Sequence, residues 1–152
     1  MPAVNQASFV PRRGRMMALA SGGLSLLLFA LIAWLLPGPA EGGQWGPVDK
    51  AMVAGLGVAI AVLMIRYARI SATPVAEGLR VRNLMLTRTI AWSEIEGVRF
   101  GGGEPWVNLD LIDGESVAVM AIQRADGAAA DADAQRLADL VTRGGAAEPA
   151  RD

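Results

Sequence analysis

The sequence predicts a pair of transmembrane helices followed by a small, mainly-β α+β domain. Three observations carry this reading. Two apolar runs, residues 16–36 and 51–65, contain no charged side chain. From Gly78 to Gly127, short apolar runs of period two alternate with turn residues, the pattern of an antiparallel sheet. Residues 128–143 then carry Ala130, Ala134, Leu137 and Val141 at helical spacing. Of the 152 residues, 53% are apolar and 19% charged, and the clustering of the apolar share near the N-terminus assigns the surplus to a membrane rather than to a large core.

Residues 1–15, with Pro2, Pro11 and Gly14, read as a disordered tail. The run 16–36 supplies the roughly 20 apolar residues that a span requires. Trp34, near its far end, suits the headgroup level. A turn-rich loop with Pro37, Pro39, Gly42, Gly43, Gly46 and Pro47 follows. The second span is expected over 48–66, its short apolar run extended by Val48 at one end and by Arg66 and Tyr67 at the other. Arg12, Arg13 and Arg15 precede the first span, Arg66 and Arg69 close the second, and the connecting loop is poor in base. The positive-inside rule therefore predicts a multi-pass protein of the plasma membrane with both termini and the following domain in the cytoplasm. A rival reading ends a secretory signal at Gly38-Pro-Ala40, but the apolar run is long for a signal core. Ala51, Gly55 and Ala59 recur every four residues as a candidate helix-packing stripe. Packing within the helical hairpin is the plainer use of that stripe, and a homo-oligomer is the sharper one. The absence of charge within either run argues against an ion path.

The domain is expected over 67–143, with a second tail over 144–152. Tyr67–Ala72 is a candidate first strand ended by Thr73-Pro74. Gly78 opens a strand that turns at Asn83-Leu84, placing Leu79, Val81, Leu86 and Ile90 on one face and Arg80, Arg82, Thr87 and Thr89 on the other. Arg88 falls on the apolar face, at its edge. Ser93 to Glu96 has the form of a capping box ended by Gly97. Val98–Phe100 and Pro105–Ile112 are strands separated by the loop Gly101-Gly-Gly103. Asp113-Gly114 signals a hairpin. A two-residue turn there puts Ala118 and Met120 beside Leu109, and a three-residue turn puts Val117 and Val119 there instead. Asp126 is a candidate N-cap for the last helix, which Gly144-Gly145 should stop.

The chain has neither Cys nor His, which excludes disulfides, thiolate nucleophiles, Cys/His metal sites and Ser-His-Asp catalysis. Lys50, in the interhelical loop, is the sole lysine, so the domain has no Schiff-base or P-loop lysine. Glu94, Glu96, Asp110, Asp113 and Glu115 imply no pocket, since Asp113 belongs to the turn and Glu96 to the cap. The expectation is a protein without catalytic residues, metal or cofactor, and without the basic patch of a nucleic-acid binder.

The two N-terminal helices, Thr73-Pro74, Gly78-Leu-Arg-Val-Arg-Asn83, Trp92-Ser-Glu-Ile95, Pro105-Trp106 and the final helix together resemble a bacterial PH-domain family. That family is typified in actinobacteria by low-molecular-weight protein antigen 6. The resemblance spans roughly residues 16–143 and implies a PH-like antiparallel, partly open barrel capped by a C-terminal helix. Six strands are counted where a full PH fold has seven. The family brings no catalytic residues to carry over.

Arg80 and Arg82 share one strand face, and their guanidinium forks suit phosphate. With Arg88 they are the candidate contacts for anionic lipid or for a partner, against the plainer reading of a solvated strand face. Trp92 and Trp106 read as core closures rather than as an exposed site. The expected function is a membrane-anchored, non-catalytic adaptor or scaffold for a membrane complex, with an unidentified protein partner. The alternatives are an anionic-lipid sensor and an accessory subunit assembled through its helices.

Overall fold

The computed structural model describes residues 7–147. Its elements are helix α1 (Arg12–Leu35), helix α2 (Pro47–Ala68), strands β1 (Ser71–Val75), β2 (Gly78–Arg82), β3 (Thr87–Ala91), β4 (Ile95–Arg99), β5 (Trp106–Leu111) and β6 (Ser116–Gln123), and helix α3 (Ala128–Ala147). The chain divides into two compact units. One is the helical pair, residues 15–68, and the other is a β domain built from residues up to 14 together with those from 69 onward.

Both α1 and α2 are long and apolar enough to cross a membrane. They pack where Gly22 meets Ala61 and Met64 and where Gly57 meets Ser25 and Phe29. The Ser25 hydroxyl donates to the Gly57 carbonyl at 3.3 Å, and Gly57 lies against Phe29. The hairpin therefore closes through Gly57 and Ala61 rather than through Ala51, Gly55 and Ala59, which are exposed, Gly55 having open space around it. On a helix, a shift of two positions turns a residue by about 200°, so the expected stripe faces away from the contact.

In the domain, β1, β2 and β3 form one antiparallel sheet and β4, β5 and β6 another. The ladder breaks between β3 and β4 and between β6 and β1, so the PH-like arrangement does not close into a barrel. Leu79, Val81 and Ile90 from the first sheet and Val107, Leu109, Leu111 and Val119 from the second are buried. Helix α3 adds Ala130, Ala134, Leu137 and Leu140 to this core and packs on β4, β6 and the turn at Trp92. Leu140 takes the buried place expected for Val141, which is half-buried.

The expected tail over 1–15 is corrected for residues 7–15, of which 12–15 begin α1, and its first six residues lie outside those described. Phe9 is 1% exposed and exchanges both backbone hydrogen bonds with Ala72, at 2.7 and 3.0 Å. Pro11 is buried too. The Arg136 guanidinium lies 3.8 Å from the centre of the Phe9 ring. The first sheet thus gains a further edge segment from the extreme N-terminal side of the chain.

Thr73-Pro74 lies inside β1 rather than ending it. Ala72 directs its N–H and C=O toward Phe9, away from β2. By the two-residue alternation of a strand, the nitrogen of Pro74 points the same way, where no ladder bond with β2 is lost. The β2–β3 turn is Leu84-Met85 rather than Asn83-Leu84, because the Asn83 amide closes the ladder onto the Leu86 carbonyl at 2.8 Å. This moves the pairing by two residues, to Val81↔Arg88 and Arg80↔Thr89. An even shift keeps the faces, so Arg80, Arg82, Thr87 and Thr89 remain together on the exposed side. It carries Leu86 past the end of the apolar face, where it is 76% exposed.

The Glu94 carboxylate accepts from the Ala91 amide at 3.1 Å, so the single turn is Trp92–Glu94 and the cap lies at Ala91, two positions earlier than the expected Ser93, and β4 begins at Ile95. At the β5–β6 hairpin, the Leu111 amide donates to the Glu115 carbonyl, leaving a three-residue turn with Gly114 at φ 85°. Val117 and Val119 consequently pair with Leu109 and Val107. Asp126 caps elsewhere than expected: its carboxylate accepts from the backbone amides of Arg12 and Arg13 at 3.0 and 2.8 Å. Helix α3 runs through Gly144-Gly145 to Ala147, which corrects the expected tail over 144–152 for its first four residues; residues 148–152 lie outside those described. Gly144 sits against the Trp92 indole, where a side chain would collide with the ring.

Candidate binding face

The exposed face of the first sheet presents two cross-strand rows, Ser71–Arg82–Thr87 and Thr73–Arg80–Thr89. Each arginine stands between two hydroxyl residues because register and alternation place them there. The Ser8 and Thr73 hydroxyls are hydrogen-bonded at 2.8 Å, which extends the row toward the N-terminal segment. Ser71, Thr73, Arg80, Arg82 and Thr87 line a shallow groove of about 460 Å³. No hydrogen bond or ion pair engages the guanidinium of Arg80 or of Arg82 among the described residues.

Arg88, Arg99, Arg136 and Arg124 each have a partner within the domain. Arg88 lies on the opposite face of β3 and pairs with Glu115 at 3.1 Å. Arg99 binds Asp110 through two nitrogens, at 3.2 and 2.9 Å, and reaches Glu104 at 2.7 Å. The hydrogen bonds from Arg99 hold the Asp110 carboxyl below the usual carboxylate range against an opposing desolvation, aided by the positive charge of Arg99 and by a hydrogen bond from Ser116. Arg136 pairs with Asp133 at 3.2 Å, and Arg124 stands 6.0 Å from the centre of the Phe100 ring. The structure thus brings Arg80 and Arg82 together and sets Arg88 apart. A paired fork and surrounding hydroxyls can accept a phosphate or carboxylate.

Sequence reasoning missed Ser71 and Thr73, because β1 was expected to stop before Pro74. The alternation of Ser71, Thr73 and Val75 was the available signal. It also missed the role of Asn83, whose side chain donates to the Ala118 carbonyl at 2.7 Å and accepts from the Met120 amide at 3.3 Å. Asn83 thereby ties the first sheet to β6. Trp92 is buried and donates its indole N–H to the Val75 carbonyl at 3.2 Å, while Trp106 is half-buried. Among the described residues, no group of three or more His, Cys, Asp or Glu side chains converges to hold a metal ion.

Comparison with known proteins agrees with the fold. Residues 69–140 match the family described as the bacterial PH domain. Uncharacterized proteins of Mycobacterium tuberculosis and of Mycobacterium bovis are 38% identical to this chain over 92 residues. That match covers 60% of this chain and 60% of each relative. No solved structure matches. The strands and the closing helix over residues 69–140 are therefore similar to a bacterial PH domain, and two helices apolar enough to span a membrane precede them in the chain.

Proposed function

We propose that this chain is a membrane-held, non-catalytic adaptor that recruits a protein partner to a membrane complex through the Arg80/Arg82 face. The observation that carries this reading is the pair of adjacent guanidinium groups with no partner among the described residues, on a domain whose other strand arginines are engaged. An acidic segment of a partner satisfies both forks. The arginines that flank the two spans support a cytoplasmic placement of the domain. The lack of His and Cys supports binding rather than chemistry.

A second reading, anionic-lipid sensing by the same face, is favoured by the hydroxyls of Ser71, Thr73 and Thr87 around the arginines. One experiment separates the two. The full-length protein is purified gently from native membranes as wild type and as the Arg80→Glu/Arg82→Glu form, and co-purifying proteins and lipids are identified by mass spectrometry. A stoichiometric protein lost in the double variant supports the adaptor. An anionic lipid lost without any protein partner replaces it with the lipid sensor.

A further inference from the structure

Between β2 and β3, the Asn83 amide donates to the Leu86 carbonyl at one end and the Trp92 amide to the Glu77 carbonyl at the other. Ladder bonds alternate along an antiparallel pair, so Arg82↔Thr87 and Arg80↔Thr89 fall at its non-hydrogen-bonded sites. At such sites the Cα atoms approach to about 4.5 Å and the side chains stand closest. The N–H and C=O of Thr87 then point away from β2, toward a sheet edge that no strand covers among the described residues. Thr87 is exposed, lines the groove with Arg80 and Arg82, and follows directly on the exposed Met85 and Leu86. The other hydroxyls of that groove are less available. Ser71 and Thr73 are half-buried, and Thr73 is bonded to Ser8.

A phosphate on the Thr87 hydroxyl faces Arg82 across the strand pair and Arg80 on the diagonal, within reach of both long side chains. It adds about −1.5 to −2 charges and three acceptor oxygens, the complement of two guanidinium forks that have no partner among the described residues. From Gly78 to Ala91 the hairpin has no Asp or Glu to repel it. An extended edge segment with unpaired backbone groups is also a form in which another protein can bind a strand. We infer that Thr87 is a phosphorylation site whose phosphate is captured by Arg82 and Arg80, closing the face to an acidic partner. A protein kinase moves the γ-phosphoryl group of a nucleoside triphosphate to Thr87 Oγ1. The P–O bond to the β-phosphate breaks, a P–Oγ1 bond forms, the nucleoside diphosphate leaves, and the hydroxyl proton passes to solvent. The inference adds regulation to the proposed adaptor face and rests on that reading for its effect on a partner.

The test has two arms on the full chain. In the first, the protein is purified from native membranes of exponential and stationary cells with phosphatases inhibited, its phosphorylated and unphosphorylated fractions are separated, and tandem mass spectrometry maps the phosphate and the co-purifying proteins. The expected result is phosphate on Thr87 and a protein partner retained only by the unphosphorylated fraction. In the second, phosphothreonine is genetically encoded at position 87 and titrated by phosphorus NMR. Its second proton should leave below the ordinary value of about pH 6, and Arg82→Gln should return it there. Phosphate absent from Thr87, or confined to the exposed Thr142 on α3, overturns the site. An ordinary titration that Arg82→Gln does not change overturns the capture. A partner lost from the Arg80→Glu/Arg82→Glu form with Thr87 unmodified overturns this inference and leaves the adaptor standing. A captured phosphate with no protein partner in either fraction overturns the adaptor and leaves the site standing.

Discussion

Replacing Phe9 by Ala should weaken the β domain far more than any change in a tail could. The ring is 1% exposed, lies beside the Ala72 bridge, and has the Arg136 guanidinium 3.8 Å from its centre. Truncating a buried Phe to Ala costs about 3–5 kcal/mol, a range that combines lost apolar burial with the cavity left behind. Loss of the cation–π contact falls within the upper part of that range. In a domain whose whole stability is about 5–15 kcal/mol, this is a large share. At roughly 4–8 °C per kcal/mol for a domain of this size, the midpoint should fall by about 12 °C or more. The assay is thermal unfolding of the full chain, with amide exchange read by mass spectrometry on peptides covering β1 and β2. Phe9→Leu should restore most of the loss, since it keeps the burial and gives up only the ring contact. A midpoint unchanged by Phe9→Ala, with β1 amides still protected, would refute the assignment of residues 7–11 to the domain.

Three further outcomes follow from the contacts described. Asn83→Ala should cost about 1–3 kcal/mol, because the Ala118 carbonyl and the Met120 amide both lose their partner, and exchange should accelerate at residues 118–120. Asp110 binds a proton less readily in the folded chain than in the unfolded one. Its contribution is thus complete above the ordinary carboxylate range and disappears as pH falls through that range and then through the lowered folded value. Asp110→Asn should accordingly flatten the acid limb of a plot of unfolding midpoint against pH and leave the shape above neutrality unchanged. Gly57→Leu should force α1 and α2 apart, whereas Gly55→Leu should leave the hairpin intact, and cysteine cross-linking across the two helices would register the difference.

The helices were legible in the sequence because composition alone decides them. The two faces of β2 and β3 were legible because an error of two residues in register preserves side-chain parity, and Arg80 and Arg82 were found on that account. The β5–β6 register was open until Gly114 took its left-handed conformation in a three-residue turn. Other features depend on partners distant in the chain. One aromatic among polar residues has no periodicity, so Phe9 gave no sign of its place beside Ala72. Asp126, next to Gly127, looks like a local cap, and only the tertiary structure turns its carboxylate to the amides of Arg12 and Arg13. Gly144-Gly145 looks like a helix stop, but Gly144 is where α3 must come close to Trp92. The hydroxyls beside the arginines were hidden by Pro74, whose position is tolerated because its nitrogen faces away from β2.

The edge segment around Phe9 bears on how the chain can be cut and threaded. Residues on both flanks of the helical pair complete a single hydrophobic core, so the domain is a split one with the helices inserted into its chain. Where both helices cross a bilayer, the two flanks must emerge in the same compartment for Phe9 to meet Ala72, and an even number of crossings is then a condition of folding. Cleavage of the first helix as a signal, after Ala40, would carry away a piece of the core along with the leader. A soluble fragment begun after α2 would lack the same piece, and a peptide covering residues 7–11 should restore it when supplied separately.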